Sequence, residues 1–95
     1  MKTIRICFNA ATTPARAHRI IAGALDFPDY YGNNLDALYD CLTDLSGQTE
    51  IHFYGTEVLA NNPAVENAAA FVRGLRETFR DAEEETGCIH AVWES

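Results

Sequence analysis

The sequence predicts an α/β fold, a small three-stranded parallel sheet packed with about four helices. Three observations carry that prediction. Three short stretches, residues 4–8, 50–54 and 88–93, have the alternation or the apolar composition of strands. The segments between them carry helical spacing and helix-capping residues, and strands joined by helical connections pair parallel. The length of 95 residues supports one hydrophobic core, so residues 1–95 read as a single domain.

Ile4, Ile6 and Phe8 alternate with Thr3, Arg5 and Cys7 until residues 9–13 break the pattern. Thr13 followed by Pro14 is a helix start, and helical spacing continues through Leu25. A loop with Pro28 and Gly32 follows, Gly32 supplying a backbone angle that other residues dislike. Asn33 or Asn34 then caps a second helix, which Ser46 and Gly47 end. In the second strand Ile51 and Phe53 share one face, His52 and Tyr54 the other. Residues 55–62 are turn-rich, with room for one short helix. Asn62 and Pro63 open the longest helix, in which Val65, Ala68, Val72, Leu75, Phe79 and Ala82 recur at steps of three and four. Its polar face carries Arg73, Glu77, Arg80 and Glu84 as supporting pairs, and Gly87 stops it.

Charge is distributed unevenly. The chain is net −7, and residues 20–72 hold eight acids and no Lys or Arg. Such segregation disfavours nucleic acid and anionic membrane as partners and favours a basic protein. On the second helix Leu35, Leu38, Leu42 and Leu45 form a core-facing stripe, while Asp36, Asp40 and Asp44 form another on the opposite side. Carboxylates four residues apart repel by about 0.2–0.5 kcal/mol per pair, so three in a row oppose folding unless an external cation uses them. Tyr30, beside this array, is a candidate anchor; Tyr31 is either that or a turn residue packed on the core.

Cys7, Cys41 and Cys88 are odd in number and lack CxxC spacing, which indicates free, mostly buried thiols and a reducing cytosol. The N-terminal apolar run is interrupted by Arg5, unlike a signal peptide, and no segment has the length of a membrane span, so a cytoplasmic location is expected. No catalytic residue, cofactor or metal site is expected. Acid and base work by two carboxylates requires a cleft that gives them unlike environments, whereas Asp36 and Asp40 share an exposed face. Ser46 and Ser95 are the only serines, no glycine loop cradles phosphate, and His18, His52 and His90 lack metal spacing. A small carboxylate enzyme or a metal-binding protein is the least favoured alternative, and an acidic module for another basic protein or toxin is a nearer one.

The segment FPDYYGNNLDALYDCLT, residues 27–43, resembles the signature of the barstar family of bacterial intracellular ribonuclease inhibitors, and the likeness returns in FRDAEEETGC, residues 79–88. The resemblance implies an α/β fold with three parallel strands. It also implies a protein that plugs a nuclease active site with a helix and the preceding loop, in an immunity or antitoxin role. By resemblance, Tyr30, Asn34, Asp36, Asp40 and Thr43 fall on inhibitory positions, with Asp40 where the family replaces an RNA phosphate; Asp81 falls where it has a contacting glutamate. Gly32, Tyr39 and Asp44 complete the expected surface. Tyr39 stands at a family tryptophan, and Asp44 and Leu45 at a glycine and a second tryptophan, which makes this surface less aromatic and more acidic. The implied partner is a basic extracellular-type ribonuclease or ribonuclease toxin domain in a 1:1 complex.

Overall fold

The structure, a computed structural model, describes residues 1–28 and 31–94. Among them the chain runs β1 (Lys2–Cys7), α1 (Pro14–Ala24), α2 (Leu35–Thr43), β2 (Thr49–Tyr54), α3 (Thr56–Ala60), α4 (Ala68–Thr86) and β3 (Ile89–Trp93). The strands form one parallel sheet in the order β1-β2-β3, with Ile4 opposite Ile51 and Ile51 opposite Ala91. This is the expected α/β class, three parallel strands and four helices.

Alternation of side chains gives the sheet two unlike faces. Ile6, Ile51, Phe53 and Ile89 are buried in one core with Ala17 and Ile21 of α1, Leu38 and Leu42 of α2, Leu59 of α3 and Val72, Leu75, Phe79 and Ala82 of α4. Phe53 anchors it, stacked on Trp93 at 4.1 Å between ring centroids and meeting Phe79 edge-on at 5.0 Å. The other face is polar. Arg5 lies 5.4 Å from the Tyr54 ring centroid, and His52 is hydrogen-bonded to both Glu50 and Glu94.

Thr13 caps α1 as its type predicts, its hydroxyl accepting from the Arg16 N–H at 3.2 Å. The longest helix starts later than the sequence suggests. The Asn62 side chain is spent on a turn, accepting from the Ala64 N–H and donating to the Ala10 carbonyl. Asn67 then adopts a left-handed φ of 58° as the N-cap, so Asn62, Pro63 and Val65 precede α4. Its end at Gly87, φ 67°, is as expected. α2 closes at Thr43 with Asp44 as C-cap, short of Ser46 and Gly47.

Other expectations need correction. Cys7 is exposed and Cys41 and Cys88 are half-buried, because Cys7 lies on the outward face of β1 and Cys41 beside the leucine stripe rather than in it. Arg73, Glu77, Arg80 and Glu84 close no ion pair among the described residues, where only His52 forms such pairs. Gly32 does not have a positive φ; an added Cβ would come within 3.2 Å of the Asn34 amide, so crowding and not backbone angle makes a small residue fit. Among the described residues no helix is long and apolar enough to cross a membrane.

Candidate binding face on the second helix

The loop leading to α2 is held at both ends. The Phe27 N–H donates to the Ala22 carbonyl at 2.9 Å, turning the chain back on α1 through Asp26, which has a left-handed φ of 57°. Phe27 and Tyr31 rings meet at 5.3 Å, and the Tyr31 hydroxyl shares a 2.6 Å hydrogen bond with His18 Nδ1. His18 also meets Phe71 of α4 edge-on. Burial lowers the His18 pKa, while burial and then the neighbouring Cys41 push that of Tyr31 up to about 12. Both groups therefore stay neutral near pH 7, and Tyr31 is a structural fastener of the loop. Tyr30 lies outside the described residues.

Asn34 fixes where α2 begins. Its Oδ1 accepts from the Ala37 N–H at 2.8 Å while its Nδ2 donates to the Gly32 carbonyl at 3.2 Å, joining loop and helix through one side chain. With Leu38 and Leu42 wholly buried, the helix cannot roll, and Asp36, Asp40 and Asp44 emerge exposed. None of the three makes an ion pair among the described residues. Asp36, in the first turn, is favoured by the helix dipole; Asp44, at the C-cap, is opposed by it, with no basic residue in the last turn. Tyr39 is half-buried against the core, and the Thr43 hydroxyl donates back to the Tyr39 and Asp40 carbonyls. The Cys41 thiol is pushed up by burial and then by Asp44 and Asp40, which holds it protonated and unreactive.

A concavity of about 260 Å³ lies between the loop and α2, walled by Phe27, Pro28, Cys41 and Leu45 and bearing the carboxylates of Asp26, Asp40 and Asp44. Asp26 is the residue that sequence reasoning missed. It belongs to no helical stripe, and only its left-handed turn brings it there.

Asp81 is exposed on α4. Seven residues earlier, a Cβ added at Gly74 would meet Leu35 Cδ1 of α2 at 2.7 Å. Seven residues are close to two helical turns, so Asp81 shares with Gly74 the flank of α4 nearest α2, about 10 Å farther along the axis. Among the described residues no cluster of three or more His, Cys, Asp or Glu is arranged to hold a metal ion.

The sequence profile of the family described as Barstar (barnase inhibitor) matches residues 1–93. The chain is also similar to YrdF of Bacillus subtilis (strain 168), a protein provisionally named a ribonuclease inhibitor, with 69% identity over 26 residues. That match covers 27% of this chain and 29% of YrdF.

Proposed function

The chain belongs to the barstar family of barnase inhibitors, and from that premise we propose that it inhibits a basic ribonuclease by filling the active site with α2 and the preceding loop. The observation that carries this reading is the exposed array of Asp36, Asp40 and Asp44, unpaired among the described residues, on a helix fixed by two buried leucines and an asparagine cap. A ribonuclease binds a polyanion, so its cleft concentrates Arg, Lys and His. Carboxylates on a rigid element occupy those phosphate sites through charge-assisted hydrogen bonds without being cleaved. Asp40, at the centre, takes the place of a phosphate, with Asp36 and Asp44 on either side and Asp81 contributing from α4. Gly32, Asn34, Tyr39 and Thr43 border them and exclude water, which strengthens each charged contact, and Tyr30, outside the described residues, is proposed as a further contact with the nuclease. Asp26 adds a carboxylate at the rim.

The partner is a secreted-type ribonuclease or a ribonuclease toxin domain, bound 1:1, because the array is a surface that covers one site. The three free thiols suit a reducing cytoplasm, where such an inhibitor would protect the cell. Titration of a purified basic secreted-type ribonuclease with the protein tests the proposal. Inhibition should end at one inhibitor per nuclease. Silencing of excess nuclease by a catalytic amount, or RNA hydrolysis by the protein alone, would overturn it.

A further inference from the structure

Opposite its α2-facing flank, α4 carries a row of arginines. Arg73, Arg76 and Arg80 are exposed and line a groove of about 440 Å³ that runs between α4 and the edge strand β3, together with Glu77, Glu83, Ala91 and Trp93. Glu77 and Glu83 offset part of that charge, but the Glu83 carboxylate is turned to the sheet edge, where it accepts from the Ala91 N–H, so the arginines remain in excess. No arginine here makes an ion pair among the described residues. Trp93 is unavailable for stacking a nucleobase: Phe53 lies against one face and the Arg76 guanidinium 5.3 Å from its ring centroid. The groove therefore suits carboxylates better than nucleotides.

The same chain offers carboxylates in a matching row. Along a helix of 1.5 Å rise per residue, Asp36 to Asp44 spans about 12 Å and Arg73 to Arg80 about 10.5 Å, so three acids and three guanidinia fall into register when the two helices lie side by side. We propose that, without nuclease, the protein associates with a second copy of itself, the acidic face of α2 on one copy lying in the arginine groove of the next. The groove is on the flank of α4 turned away from α2, so the contact is heterologous and propagates head to tail. A net charge of −7 on every copy opposes it beyond contact range, which makes the association weak and confined to high concentration. The association does not rest on ribonuclease inhibition; its consequence, competition between a second copy and the nuclease for α2, does.

Analytical ultracentrifugation tests this at about 0.15 M salt, where a Debye length of about 8 Å screens the net repulsion between copies more than the close charge pairs. The wild-type mass should rise above the single-chain 10.5 kDa as concentration increases. The double variant Arg73→Glu/Arg80→Glu, with Arg76 left in place on Trp93, should remain at the single-chain mass, as should Asp36→Asn/Asp44→Asn. Mixing the two should produce a species of twice that mass and nothing larger, since only one complementary contact survives. Circular dichroism confirms that each variant is folded. A wild-type mass that never rises, or a groove variant that still associates, overturns the proposal. A wild type that stays single but binds polyglutamate or an oligoribonucleotide overturns it also, by assigning the groove another occupant. The groove variant should inhibit nuclease as the wild type does, so failure of the inhibition reading and failure of self-association show separately.

Discussion

Asp40 has opposite effects on the free protein and on the proposed complex. In the free protein it lies four residues from both Asp36 and Asp44, so Asp40→Ala removes two like-charge neighbours worth about 0.2–0.5 kcal/mol each and raises helix propensity. In the complex the same change leaves the nuclease's cations buried without a partner, a loss larger than the value of the contact itself. Urea unfolding should show no loss of stability, and nuclease titration should show weaker inhibition than for Asp44→Ala; a clear fall in the unfolding midpoint would make Asp40 structural. Two histidines give a second prediction at this scale. His18 is held below its ordinary 6.5 by burial, so its neutral form contributes stability above pH 6.5 that is lost as pH falls through the folded pKa. His52 is raised by its hydrogen bonds to Glu94 and Glu50, so its contribution is complete below pH 6.5 and is lost as pH rises through the folded pKa. Imidazole titration by NMR should place His52 above 6.5 and His18 below; the reverse order would contradict both environments. Tyr31→Phe, which strips the hydroxyl from His18, should cost about 1–3 kcal/mol in urea unfolding.

At the scale of elements, β2 hands over to α3 through Gly55. Its φ of 79° is strained for any side chain, and a Cβ there would lie 2.0 Å from the Phe8 carbonyl oxygen, a backbone atom with no freedom to move aside. Gly55→Ala should therefore destabilise by more than about 3 kcal/mol, among the larger single-residue effects, measured by the same unfolding experiment. That close approach was not legible in the sequence, which marks the region only as turn-rich. What the sequence did reveal were local patterns: the 2-residue period of β1 and β2, Thr13 before Pro14, the leucine stripe of α2 and Gly87 after α4. The start of α4 was misread because Asn62 and Pro63 satisfy the local rule for a helix start, while tertiary contact of Asn62 with Ala10 and the left-handed Asn67 delay it. The acidic stripe was legible for the same reason as the leucines, since both follow from one helical period. Asp26 was not, because its place beside Asp40 depends on how the loop folds back on α1.

Across the whole molecule the charges separate by position. The acids of residues 20–72 include the α2 array, while the seven basic residues lie at the two ends of the sequence, three of them in the groove on the far flank of α4. The net negative charge is therefore concentrated in the segment that carries the proposed binding face, the acidic pole of the protein. A cationic nuclease approaching in solution is turned toward that face before contact, which raises the fraction of productive encounters. The Debye length shortens from roughly 30 Å at 0.01 M salt to about 3 Å at 1 M, so this guidance fades over that range while contacts already formed are screened far less. Association should slow steeply with ionic strength and dissociation should change little, the pattern for which the barnase–barstar pair is itself a known case. Stopped-flow kinetics at several salt concentrations decides the matter for this chain. Replacing Asp26 with Asn should flatten the salt slope while leaving dissociation nearly unchanged, because a rim charge acts mainly on approach. If association is indifferent to salt, the acidic pole has no steering role; if Asp26→Asn instead speeds dissociation severalfold, Asp26 is a buried contact and the binding face extends farther into the loop.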